Sequence, residues 1–170
     1  QAGSAQRRSF GAGDAIYLLM PDRFASGTAA NDQAGMLEGA DRANPVMRHG
    51  GDLAGMRAHL DYIRDLGFTM VWPTPVLENN QPSYSYHGYA LTDYYRIDPR
   101  FGSNEEFRDY VAAAKAKGLG VIHDIVLNHI GTSHWWMRDL PARDWINHGS
   151  TFKPTNNQHT VAQDIHGAPE

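Results

Sequence analysis

The 170-residue sequence contains no cysteine. Disulfide staples and thiolate metal centres are therefore excluded, although the absence identifies no compartment. Lysine and arginine form no run, and the formal net charge is -4, so neither nucleic acid nor an anionic membrane is expected as a partner. No apolar stretch approaches the ~20 residues needed to span a bilayer. The first ten residues, Gln1 to Phe10, lack the apolar core of a signal peptide and read as a polar lead-in. The nine histidines form no H-E-x-x-H and no tight pair, which argues against zinc. There is no G-x-S-x-G elbow and no phosphate-cradling glycine loop. No internal repeat or low-complexity tract interrupts the chain.

What remains is ordinary globular material, 41% hydrophobic and 20% charged, of a length that suits about one domain. Ala15 to Met20 is a short apolar run stopped by Pro21, which predicts a buried strand. A long polar stretch follows, from Ala25 to Gly51, and a loop of that length inside a domain is usually functional or disordered. Leu53, Met56, Leu60 and Ile63 step by three and four, predicting a helix over 53–66, with Asp52 as its cap and Gly67 as its stop. Phe68 to Pro73 predicts the second strand. Ser103 and Glu106 have the spacing of a capping box, and they open a helix predicted over 104–117 whose buried face is Phe107, Val111 and Ala114. Leu119 to Leu127 predicts the third strand.

The order strand, helix, strand, helix, strand implies right-handed βαβ units in a parallel α/β sheet. Polar and aromatic residues gather after each strand, at the edge where parallel sheets bind ligands. Three strands cannot close a barrel. The pattern is therefore either a small open sheet or the beginning of a larger barrel.

Three clusters carry chemistry. Asp124, Val126 and Asn128 share one side of the third strand, with His129 at its exit; such groups need polar partners and form either a structural network or part of a sugar or metal site. His123 and Asp124 are strand neighbours and point to opposite faces, so they make no dyad. The loop after the second strand carries Tyr86-His87-Gly88-Tyr89 and Asp93-Tyr94-Tyr95. Tyrosine rings suit sugar faces, and they also suit packing between loops. The third cluster is Asn31-Asp32 with Gly50-Gly51-Asp52. These are oxygen ligands of the kind Ca²⁺ prefers, and they are also ordinary turn residues.

Taken together these segments resemble the α-amylase family of glycoside hydrolases, and within it the neopullulanase and cyclomaltodextrinase branch. Asp124 to His129 (DIVLNH) is similar to the family signature D-x-V-x-N-H at the end of barrel strand three. Tyr86 to Tyr95 (YHGYALTDYY) and Asp98 to Gly102 (DPRFG) resemble the segment after strand two, and Met20 to Phe24 (MPDRF) the end of strand one. The resemblance runs from Ala15 to about Trp145. It implies a partial (β/α)8 TIM barrel: about the first three β/α units over 1–127, then the start of the insertion after strand three over 128–170. It implies that His87, Tyr89 and His129 bind substrate and that Asp124 and Asn128 support the active site. It also implies a Ca²⁺ loop, Asn31 and Asp32 completed by Gly50 and Asp52, weakened because Ser26 and Thr28 stand where the branch has Asn and Asp.

The family's nucleophile, an Asp in a G-x-R-x-D segment, and its general acid, a Glu one strand later, have no counterpart in these 170 residues. They are expected beyond the C-terminus, in a parent that cleaves α-glucosidic bonds in cyclodextrins, pullulan or maltooligosaccharides by the retaining route. An α-glucan oligosaccharide is then the partner. The rival readings are a transglycosylase of the same family, a non-catalytic glucan-binding protein on the same fold, and an unrelated small α/β protein that binds a metal.

Overall fold

The computed structural model describes residues 10–146. The lead-in over 1–9 and the part of the expected insertion over 147–170 lie outside the described residues. The chain divides into two compact units, one ending at Trp135 and the other starting at Trp136.

In the first unit the chain runs β1 (Ile16–Leu19), α1 (Pro21–Phe24), α2 (Leu53–Ala58), α3 (Leu60–Asp65), β2 (Met70–Pro73), a 3-10 turn at Ser85–His87, α4 (Asn104–Ala116) and β3 (Gly120–Val121). The sheet order is β1-β2-β3 and both pairings are parallel, as the alternation of elements predicts. Ile16 pairs with Met70 and Leu18 with Trp72, while Val71 pairs with Val121. Val71, at the centre, is fully buried.

The helices form for the expected reasons. Asp52 caps α2 by accepting from the Gly55 N–H at 2.7 Å. Ser103 and Glu106 close a complete capping box on α4. Leu53, Met56, Leu60 and Ile63 are all buried in one cluster with Phe101, Tyr110 and Ala114. Tyr110 is the buried aromatic of α4; Phe107 and Val111, expected as its core face, are only partly buried.

Two boundaries differ from expectation. The helix predicted over 53–66 is broken at His59, which leaves the helical region (φ -108, ψ 15). Its ring Nδ1 lies 2.8 Å from the Gly55 carbonyl, the oxygen that a continuous helix would give to the His59 N–H. The strand predicted over 119–127 pairs only at Gly120–Val121, with one further bond from the Ile122 N–H to the Val71 oxygen at 2.9 Å. β2 stops at Pro73, a residue with no N–H to offer, so the ladder has nothing to continue on.

The long segment over 25–51 is ordered by contacts rather than by regular structure. Asp22 of α1 is buried, and its carboxylate accepts from the His49 N–H at 2.8 Å and the Gly50 N–H at 3.2 Å. The loop comes so close to α1 here that a Cβ on Gly51 would sit 2.1 Å from the Pro21 oxygen. Among the described residues no helix is long and apolar enough to cross a membrane.

Candidate active site

β2, the loop after it and the chain leaving β3 meet at the carboxyl end of the sheet. Asp124 is the meeting point. Its Oδ2 accepts two hydrogen bonds, from the Tyr89 hydroxyl at 3.1 Å and from the Trp72 indole N–H at 3.1 Å. The Tyr89 hydroxyl titrates above its ordinary value, because of burial first and then because of its bond to Asp124 and that carboxylate's charge. It therefore stays a donor at neutral pH.

His129 belongs to the same cluster. Its Nε2 lies 2.9 Å from the Tyr89 carbonyl, an oxygen that can only accept, so Nε2 carries the proton and Nδ1 is the acceptor in the neutral ring. His87 has the same tautomer but meets Tyr89 through its other ring nitrogen. Its Nδ1 accepts from the Tyr89 N–H at 2.9 Å, which leaves the proton on Nε2. Burial lowers the His87 pKa below its ordinary value, and the negative charge of Glu38 partly offsets the shift. The His87 and Tyr89 rings stack at 5.9 Å between centroids with 28° between planes. The cluster thus presents a histidine N–H, a histidine lone pair, a carboxylate and an aromatic face together. Sugar hydroxyls both donate and accept, and sugar faces are apolar, so that set is complementary to a sugar ring.

The structure brings His87, Tyr89, Asp124 and His129 together through these bonds. Asn128 is exposed and takes no part in them. Two further residues contribute, of which the sequence singles out Tyr94 but not Trp72. Trp72 is one, and its signal is the burial pattern of β2, where it is the only exposed residue of four. Tyr94 is the other: its hydroxyl lies 2.8 Å from the Val126 carbonyl and 3.1 Å from that of His129, tying the loop after β2 to the chain after β3.

The oxygen cluster is built around Asp52. Its Oδ1 accepts from Gly27 and Gly55 N–H groups, and its Oδ2 from the Thr28 N–H at 3.0 Å and the Asn31 amide at 3.3 Å. Asp52 is thus committed to four donors. Asn31 Oδ1 and Asp32 Oδ1 are different, since both are buried and neither has a hydrogen-bond partner. Gly50 has a φ of +80, and a Cβ there would sit 2.4 Å from Asp32 Oδ1, so only glycine admits the Asp32 carboxylate at this place. Buried oxygens without donors fit a hard cation. Among the described residues no three His, Cys, Asp or Glu side chains form a metal-holding group, so any ligand set here includes Asn31 and backbone oxygen.

The model of the family described as "Alpha amylase, catalytic domain" matches residues 18–164. The chain is 40% identical over 153 residues to a beta/alpha-amylase of Paenibacillus polymyxa, a match covering 84% of this chain and 12% of that protein. It is 40% identical over 129 residues to neopullulanase 2 of Thermoactinomyces vulgaris, covering 74% of this chain and 21% of that one. Among solved structures, an Anoxybacillus alpha-amylase superimposes with a TM-score of 0.73 at 36% identity, covering 92% of this chain and 33% of its own. An alpha-amylase of Geobacillus thermoleovorans solved with acarbose gives 0.66 at 35% identity, covering 92% of this chain and 32% of its own. The chain therefore spans a quarter or less of these curated relatives and about a third of these solved chains.

Proposed function

We propose that this chain, which belongs to the alpha-amylase catalytic-domain family, supplies the sugar-holding part of the active site of a longer retaining α-glucan hydrolase. The observation that carries the reading is the convergence of Tyr89, Asp124 and His129 at the carboxyl end of a parallel sheet. In a (β/α)8 barrel that end is where substrate binds, and the described elements are read as the first three β/α units of such a barrel. His87 and His129 orient hydroxyls, and the Tyr89 ring lies against a sugar face. Asp124, held by Trp72 and Tyr89, supports the cluster.

Retaining hydrolysis needs a nucleophile and an acid about 5–5.5 Å apart across the scissile bond. The nucleophile attacks the sugar carbon while the acid protonates the leaving oxygen, and water then releases the glycosyl-enzyme. The segments that carry those two groups in the family are absent from these 170 residues. These 170 residues then supply binding groups and neither of the two reacting groups. Cyclomaltodextrinase and neopullulanase relatives favour cyclodextrins, pullulan or maltooligosaccharides as the substrate class.

A Ca²⁺ ion belongs to the same reading. Asn31 Oδ1, Asp32 Oδ1 and the Gly50 carbonyl would hold it; Asp52, expected as a further ligand, already accepts from four donors and would add its charge rather than an oxygen. With Ser26 and Thr28 in place of an Asn and an Asp, one carboxylate is lost and affinity is expected to be low.

The test is an assay on maltoheptaose and cyclodextrin of the 170-residue chain beside the longest natural chain that carries it. Turnover by the longer protein alone is expected. Turnover by the short chain, abolished by His129→Ala, would overturn the reading, because it would require a catalytic pair inside these residues.

A further inference from the structure

The turn that carries His87 is held by three side chains that all bond Ser85. Ser85, the first residue of the turn, is fully buried. Its N–H donates to Glu38 Oε2 at 2.6 Å. Its carbonyl accepts from Asn79 Nδ2 at 3.2 Å and from Arg48 Nη1 at 3.3 Å. All three of these side chains come from outside the turn, and each residue is 99% buried.

Each also has one polar atom left over. Glu38 Oε1, Arg48 Nη2 and Asn79 Oδ1 are buried and have no hydrogen-bond partner. Such atoms are costly to leave dry, since each gives up water on burial and gains no partner in return. Their chemistry is complementary to a single molecule: one donor and two acceptors. A water molecule accepts one hydrogen bond from Arg48 and donates one each to Glu38 and Asn79. That is the count of about three that buried waters typically make.

The residues that carry these atoms are held in place. Arg100 donates to the Glu38 carbonyl and, at 2.8 Å, to the Asn79 carbonyl; Asp98 accepts from the Asn79 N–H at 3.0 Å. Both acceptor-bearing residues are thereby fixed at their backbones. Arg48 is fixed by its guanidinium lying 4.4 Å over the Phe101 ring and 3.6 Å from Asp22.

We propose that one internal water molecule bridges Arg48 Nη2, Glu38 Oε1 and Asn79 Oδ1, and that with it these three side chains act as positioning residues for the turn carrying His87. None of them touches the sugar. Each acts through Ser85. The inference rests on the reading of His87 as a sugar contact only for its functional half; the water and the turn stand apart from it.

A crystal structure of the chain decides the first half. One ordered water within about 2.7–3.2 Å of all three atoms is expected. No water there, or direct bonding of Arg48 Nη2 to Glu38 Oε1, would overturn it. Two variants decide the second. Glu38→Gln keeps an acceptor for the Ser85 N–H and offers the water an amide N–H in place of an acceptor, which the water can take on its second lone pair, so the turn and the His87 ring should stay in place. Glu38→Ala removes both, and the His87 ring should shift or split into several positions while α2 and α4 stay unchanged. An unmoved His87 in Glu38→Ala would refute the positioning role.

Maltoheptaose affinity adds a reading that general destabilisation would not give. Glu38→Ala should weaken binding at least about threefold in the native background and have little effect in a His87→Ala background, the coupling expected within one network. An equal loss in both backgrounds would overturn positioning through His87. Absence of any glucan binding by the unaltered chain would instead count against the sugar site, with the water and the turn still decided by the crystal structures.

Discussion

The Tyr89 hydroxyl donates to Asp124 across 35 positions of sequence, at 3.1 Å. The bond closes the candidate site, because Tyr89 comes from the loop after β2 and Asp124 from the chain leaving β3. The same carboxylate oxygen takes the indole N–H of Trp72. One oxygen of Asp124 is therefore occupied by the scaffold, and its backbone exit leads directly to His129. Tyr89 in turn meets both histidines through its main chain: its N–H goes to His87 and its carbonyl faces His129. A single residue thus sets the spacing of the three groups read as sugar contacts.

His87 should titrate below its ordinary value of 6.5. Burial is the main cause, and the acceptor role of Nδ1 acts the same way, since protonation of that nitrogen would break its bond from the Tyr89 N–H. Because the folded pKa is depressed, the unfolded chain binds more protons in this range. The stability associated with a neutral His87 is fully present above about pH 6.5 and declines as the pH falls toward the folded pKa. NMR titration of the ring protons checks this. Glu38→Gln should lower the midpoint further, because the carboxylate charge of Glu38 opposes the burial effect. A rise on that substitution would contradict the assignment.

Asp98 is fully buried beside Arg100, whose guanidinium approaches to 2.6 Å. Burial alone would raise its pKa, but hydrogen bonds from Arg100 and the charges of Arg48 and Arg100 outweigh it and hold the group below the usual carboxylate value. Asp98→Asn leaves two buried arginines short of a counter-charge. It should cost about 3–5 kcal/mol, the usual effect of breaking a buried pair from one side. Urea denaturation of both proteins checks the figure. The contribution from Asp98 is present above the unfolded carboxylate value of 3.8 and is lost as the pH falls through its lower folded pKa.

Calcium should raise the melting temperature at millimolar concentration, since an ion that binds only the folded state stabilises it by mass action. Asp32→Ala should abolish the increase. Asp52→Asn is a poorer test, because Asp52 also caps α2 and accepts from Gly27 and Thr28. An unchanged melting temperature at 10-fold excess over about 1 mM, the weak end of known protein sites, would remove the ion from the account.

Much of this was legible in the sequence, and the reasons are local. The α2 and α4 caps depend on residues three apart, and both form as their spacing implies. The alternation of strands and helices predicts the parallel order. The break at His59 was hidden because its cause is a side chain competing for the Gly55 carbonyl inside an intact apolar stripe. The short pairing of β3 was hidden because it depends on where β2 ends. In the site, His87, Tyr89, Asp124 and His129 were legible as a pattern of residue types. Trp72 was not, because its part is a hydrogen bond across 52 positions that no spacing within one segment reveals. The network of Glu38, Arg48 and Asn79 was equally silent, since it joins two residues of the polar loop to one in the loop after β2, none of them in a helical or strand periodicity.

The most direct test is an NMR titration of the 170-residue chain with maltoheptaose, beside a Tyr89→Phe variant that keeps the ring and removes the bond to Asp124. The account predicts that signals of His87, Tyr89 and His129 move together on one saturation curve. It predicts that the variant binds roughly 2–10-fold more weakly, the worth of one hydrogen bond of about 0.5–1.5 kcal/mol. Signals of His87 and His129 that respond at different concentrations, or that stay still while others move, would contradict a shared sugar site.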